Sequence, residues 1–295
     1  MLNIDMTRTA LAAVFFAAAF PAALAAQTKA APAAKPAAAL ASVTIACPVG
    51  GKEFQFRPPG RAPAMGARAD GKPYSTAAAP APLPECPDNR LVLFKEYTAE
   101  EAAKLAPLVA SDAYKALLKT DNSYYRAHWL MREMGLEAKD YLFVLLQAAW
   151  QADGKPELRA RYLAEFAEAT AKLERRTTDI NWIGMEGRAV NALRELGRFD
   201  EAAERLGKIP LTALRAASAD KAEQARRRGW IEYFANLKTV IARQDSSMEP
   251  FELVPRRVAQ TRCGSAGESA QSDFCRRFAE EELKRVAAPR EQSGR

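Results

Sequence analysis

From Thr98 onward, apolar side chains return every three or four residues between short polar or glycine-marked breaks, the period of helices that bury one face. Thr98-Ala99-Glu100-Glu101 has the form of a capping box, in which the threonine hydroxyl accepts from the backbone three residues on and Glu101 reaches back. A helix therefore starts there, and Pro107 is expected to interrupt it. Helical patterns then cover Asp121–Met134, Ala138–Gln151, Pro156 to about Arg175, Asp179–Leu196, Asp200–Lys208 and about Ser218–Arg243. Gly135, Asp153-Gly154, Gly197 and Pro210 mark the breaks. Residues 244–270 read as polar and irregular, and 271–287 as a last helix. Before Thr98 the pattern changes to short strands at Val43–Ala46, Glu53–Phe56 and Arg90–Phe94, with a turn at Gly50-Gly51. The expected fold is mainly α, with a small loop-rich β module on its N-terminal side.

Proline explains the change of pattern. Thirteen of the 18 prolines lie between Pro21 and Pro107, and each removes a backbone donor and fixes φ, so that third of the chain resists long helices. Residues 26–41 carry almost no large side chain and cannot offset the entropy of ordering, so they read as an Ala/Pro tether. Ahead of them, Arg8, the apolar run Ala10–Phe20 and Ala23-Leu24-Ala25 have the layout of a secretory signal cleaved after Ala25. A lipidated cysteine would directly follow such a run, whereas Cys47 lies beyond the tether. The expected location is periplasmic or secreted, with no spanning segment after processing. Residues 288–295 read as a disordered tail.

Export changes how the cysteines are read, because disulfides form in oxidising spaces. The module 42–97 has too few apolar residues to hold itself together by burial, and Cys47 with Cys86 supplies a staple. Cys263 and Cys275 flank a short glycine- and serine-containing loop, and their bond would tie the irregular segment to the last helix. Thiol redox catalysis would want a C-x-x-C spacing, which is absent.

Leu193–Leu206, LRELGRFDEAAERL, resembles the inter-helix turn of a tetratricopeptide (TPR) repeat, and Trp129–Leu142, WLMREMGLEAKDYL, is a weaker copy. Gly135 and Gly197 are 62 residues apart, which implies TPR-like hairpins with an irregular helix between them and an α-solenoid-like arrangement across 98–243. C-P-V-G-G at 47–51 and C-P-D-N-R at 86–90 resemble the paired C-P-x-C-G knuckles of a zinc ribbon. A ribbon of that kind joined to TPR-like helices resembles a family of uncharacterised bacterial proteins. Gly50 and Asn89 replace the second cysteine of each knuckle, so the ribbon here is degenerate. Two thiolates are too few for structural zinc, and the resemblance implies that the knuckles are joined by Cys47–Cys86 instead.

Little else in the chain suggests chemistry. His128 is the only histidine, and no partner for a general base is evident beside it. Glu165, Glu168 and Glu174 lie among arginines on a helix and read as a solvated face. No nucleophile, phosphate-loop or metal-ligand motif occurs, so no catalytic residue, metal or cofactor is assigned. The formal charge is +7, and Lys221–Arg243 holds six basic residues against two glutamates. Arg226, Arg227 and Arg228 could therefore meet an anionic envelope component, while export and the lack of interleaved aromatics argue against nucleic acid. Trp129 and Trp182 join these arginines as a candidate surface for a protein or peptide. The sequence reading is an exported bacterial binding or scaffold protein. The alternative is an envelope enzyme whose active site is dispersed along the chain.

Overall fold

The computed structural model describes residues 41–266 and 272–287. The signal segment, all but the last residue of the tether and the 288–295 tail lie outside the described residues, which fall within one compact unit. Among the described residues the fold is mainly helical, with one two-stranded sheet.

Strands β1 (Val43–Ala46) and β2 (Glu53–Phe56) pair antiparallel, with Val43 opposite Phe56 and Ala46 opposite Glu53. The turn at Cys47 and the turn at Cys86 share one bonding pattern. Cys47 N–H donates to the Lys52 carbonyl and Gly51 N–H returns to Cys47, while Cys86 N–H donates to Leu91 and Arg90 N–H returns to Cys86. Gly51 and Arg90, four residues after each cysteine, both take positive φ, +72° and +59°. A disulfide joins the turns with the Cα atoms 5.7 Å apart, and Asn89 donates across to the Val49 carbonyl. Both thiols are consumed and the second knuckle positions are Gly50 and Asn89, so these residues do not fit zinc.

The strand expected at Arg90–Phe94 is reduced to a single bridge, Glu85 to Val92. Pro82, Pro84 and Pro87 remove donors that a ladder would need, and Leu91, Val92 and Leu93 instead enter a core with Leu105, Tyr114 and Leu130.

Helices α1 (Ala99–Ala110) and α2 (Asp112–Thr120) follow. The Thr98–Glu101 capping box forms as expected. Pro107 lies inside α1 rather than ending it, and the break falls at Ser111, whose side chain caps α2. One proline removes one helical bond, whereas a residue in extended conformation such as Ser111 stops the ladder. Next come α3 (Ser123–Glu133), α4 (Ala138–Gln151), α5 (Pro156–Thr170), α6 (Ile180–Glu195), α7 (Phe199–Gly207) and α8 (Lys221–Ala242), each packed on its predecessor from α3 onward, with α8 also touching α6. Helix α5 stops at Thr170, short of the expected Arg175, and Ala171–Asp179 becomes a connection. The α3–α4 and α6–α7 turns are built alike. Gly135 and Gly197 take φ of +76° and +73°, each donating three residues back, and the following N–H donates five back, to Met131 and Leu193 respectively.

The irregular C-terminal segment holds a short helix, α9 (Arg256–Thr261), and is tied by Cys263–Cys275 to α10 (Asp273–Ala287), as the cysteine spacing suggested. Val254, Val258 and Ala259 make a small core there with Phe274 and Phe278. The main core runs through α4 to α8 and includes Leu145, Leu146, Phe166, Ile183, Val190 and Phe234. Among the described residues no helix is long and apolar enough to cross a membrane.

Candidate binding groove

One face of the helices is already covered by the chain itself. The segment Met65–Leu83, which begins as a tight hairpin bridged between Ala67 and Pro73, reaches five helical elements. Tyr233 of α8 donates to the Ala69 carbonyl, and Gly71 lies against Arg188 of α6. Asp70 accepts from Arg159 of α5, Lys72 donates to the Trp150 carbonyl at the end of α4, and Tyr124 of α3 donates to the Ala81 carbonyl. Gly71 has φ +91°, and a Cβ there would lie 2.7 Å from Arg188 Nε, so this position needs glycine for both its backbone and its contact.

At the centre of that strap, charge is buried and cross-bonded. Arg68 holds Asp70 through two bonds, at 3.0 and 2.5 Å, and reaches Asp153 through two more, at 2.8 and 3.0 Å. Arg159 bonds Asp70, Asp153 and Glu195. Burial disfavours the charged form of Asp70, but Arg68 and Arg159 outweigh it and hold its carboxyl below the usual range. Glu195 behaves oppositely, because burial raises its proton affinity more than Arg159 and Arg194 lower it. None of these side chains lines the depressions found on the helices among the described residues. The work of the cluster is to fix the strap to the helices.

The open surface lies elsewhere on the same helices. Three adjoining depressions meet at Leu173, in the Ala171–Asp179 connection. The first, about 560 Å³, is walled by α5, α6 and α7 and includes Glu186, Arg198, Arg205 and Ile209. The second, about 600 Å³, is lined by Ala138, Leu173, Trp182 and Met185, with Glu137, Asp179 and Asn181 at its rim. Leu173 and Trp182 line both and so stand between them. The third, about 400 Å³, holds His128, Tyr141, Glu165 and Lys172.

The walls are held by ion pairs. Arg205 of α7 donates to both Glu186 oxygens, at 2.9 and 2.8 Å, and to the Ala167 carbonyl of α5, so one guanidinium ties three helices together. Arg198 pairs with Glu201 and Lys208 with Glu204. Among the described residues Lys172 has no carboxylate within ion-pair distance, and Arg175 donates to the Lys208 carbonyl. Trp182 is 9% exposed, and its indole N–H is buried without an acceptor among the described residues.

The third depression contains an arrangement with acid–base character. His128 Nδ1 lies 2.9 Å from the Tyr141 carbonyl, which only accepts, so Nδ1 carries a proton. Its Nε2 is 3.3 Å from Glu165 Oε1, while Tyr125 donates to Glu165 Oε2 at 2.8 Å. Burial works against the Glu165 charge, but the bonds from His128 and Tyr125 keep its carboxyl below the ordinary range. The reading of Glu165 as a solvated surface carboxylate is therefore corrected: α3 packs His128 against Glu165 of α5, a contact of 37 residues' separation that helix-face periodicity does not reveal. Glu168 and Glu174 are exposed, as expected.

Trp182 is the one residue of the proposed partner surface that reaches these depressions. Trp129 packs beside Tyr114 at a ring distance of 5.9 Å in the disulfide-side core. Arg227 turns inward, bonding Glu223 and the Ala213 carbonyl, while Arg226 and Arg228 are exposed on α8. Sequence reasoning missed the strap network altogether, since Asp70 and Arg159 share no local period. It also placed Leu173 inside a helix. Scans of protein-family models and searches of curated proteins and of solved structures find no match to the chain.

Proposed function

We propose that this chain is an exported, non-catalytic binding or scaffold protein of the bacterial envelope, which holds a partner protein or peptide in the depressions around Leu173 and Trp182. The carrying observation is a groove on α4 to α7 that remains open although the chain has strapped another face of the same helices with its own Met65–Leu83 segment. The groove spans both TPR-like turns, from Glu137–Lys139 to Arg198–Lys208. A floor of Trp182 with Asn181 at the rim is the lining that recognition of a peptide uses. The like-built turns at Gly135 and Gly197 and the matched turns at Cys47 and Cys86 support the likeness to ribbon-plus-TPR proteins. The two disulfides fit maturation in an oxidising, non-cytoplasmic space. Arg226 and Arg228 offer a second contact for an anionic envelope component.

Affinity capture from the periplasm, run in parallel with thermal unfolding, tests this. Leu173→Asp should leave the fold intact and remove the partner. Loss of nothing on Leu173→Asp, with every partner kept, defeats the assignment.

A second reading rests on His128 and Glu165, which face a depression also lined by Lys172 and Arg132. An enzyme using that pair would lose turnover in His128→Ala while keeping its partners.

A further inference from the structure

We infer that His128 and Glu165 form a proton-operated tie between α3 and α5, closed while one proton lies between imidazole Nε2 and carboxylate Oε1 and open once that proton leaves. Nδ1 of His128 lies 2.9 Å from the Tyr141 carbonyl of α4, which only accepts, so that nitrogen keeps its hydrogen. Nε2 lies 3.3 Å from Glu165 Oε1, and Tyr125 donates to the other carboxylate oxygen at 2.8 Å. With Glu165 ionised, the Nε2 contact is a hydrogen bond only if that nitrogen also carries a hydrogen, which makes the ring an imidazolium. The tie works in the same way whether the depression beside it binds a partner or carries out a reaction.

The groups around the ring define its two states. Facing it are Tyr125 and Arg132 of α3, Tyr141 of α4 and Glu165 of α5, with Glu168 and Lys172 lining the same depression. Burial opposes the Glu165 charge, but His128, Tyr125 and Arg132 hold the carboxyl below its ordinary range. Burial and the Glu165 charge push ionisation of Tyr125 upward, so Tyr125 stays a donor. His128 is 2% exposed, so bulk water does not replace a lost partner. Once Nε2 gives up its hydrogen, two acceptors face each other at 3.3 Å across α3 and α5. Glu165 still has a second cation within ion-pair distance, Arg132 Nη1 at 3.9 Å, whereas Nε2 has no other partner among the described residues. The tie therefore opens without any helix having to move, and the lining of the depression loses one positive charge. Its stabilisation is present while the imidazole is charged and is lost as pH rises past that state. At the acid end it is lost again, as pH falls through the lowered Glu165 value and the carboxyl takes up a proton.

His128 is the only histidine, so isotope-labelled histidine in the full chain gives a single imidazole to follow by nitrogen NMR as pH is varied. The expected result is a ring with both nitrogens protonated on the acid side, from which Nε2 alone loses its hydrogen as pH rises, leaving the neutral Nδ1–H form. A neutral ring with its hydrogen on Nε2, or a ring that is neutral at every pH at which the chain is folded, overturns the tie. Urea unfolding of the native chain, His128→Phe, Glu165→Gln and the double variant measures the coupling between the two side chains. It should amount to about tenfold in the folding equilibrium where the spectra show an imidazolium, and vanish where the ring is neutral. Coupling of the same size in both states contradicts the tie, as does loss of the pH dependence in Arg132→Gln with its retention in Glu165→Gln. Should any variant fail to fold, the spectra of the native chain decide the matter alone.

Discussion

Asp70 of the N-terminal strap accepts a hydrogen bond of 2.9 Å from Arg159 of α5, 89 residues further along the chain, and both side chains are almost wholly buried. The contact makes the proline-rich segment and the helices one structure. Removing one partner of a buried pair leaves the other charge without compensation, so Asp70→Ala should destabilise the whole chain by about 3–5 kcal/mol in urea unfolding. Loss of the strap alone, with the helices melting as before, would show that the two parts fold separately.

The same cluster sets an acid limit. The carboxyls of Asp70 and Asp153 are held below their ordinary range, burial being outweighed by Arg68 with Arg159 or Lys72. Their stabilisation is therefore present above the unfolded aspartate value, about 3.9, and is lost as pH falls through the lower folded values. Glu195 is raised by burial, so its contribution has the opposite slope and declines as pH rises above the unfolded glutamate range. Unfolding midpoints measured against pH should fall steeply on the acid side in the native chain, and Asp70→Asn should flatten that limb.

Gly197 should tolerate alanine sterically but not conformationally. A Cβ there meets nothing within 4 Å, yet φ is +73°. Gly197→Ala is expected to cost about 1–2 kcal/mol through backbone strain alone, with Gly197→Val costing more. Chemical denaturation of both variants checks this, and a neutral valine would contradict the left-handed helix end.

Cys47–Cys86 closes a separation of 39 residues around a module with little core of its own. Non-reducing peptide mapping should recover this pair and Cys263–Cys275. Replacing Cys47 and Cys86 by serine should destabilise the chain by up to about 4 kcal/mol in the chain-entropy view.

Much of this was legible in the residues. Local signals survive folding, so the Thr98 cap, the Ala138–Gln151 helix, the Gly197 turn and the Cys263–Cys275 pairing could be read directly. Helix α2 was not separated from its neighbours, because Pro107 looked like the break and Ser111 did not. The groove was legible only in part. Trp182 stood out by its size, but Leu173, Lys172 and Arg175 become a lip only because α5 stops at Thr170. The strap was invisible, since its charges find partners across distances at which no periodicity operates. His128 gained Glu165 in the same way.

The claim that the groove is the working surface is tested most directly by a photo-crosslinking amino acid placed at position 173, with position 118 on exposed α2 as the control, in cells that express the full chain. The account predicts one dominant adduct from position 173 and none from 118. Equal adducts from both positions, or an adduct only from probes at 226 and 228 on α8, would contradict it.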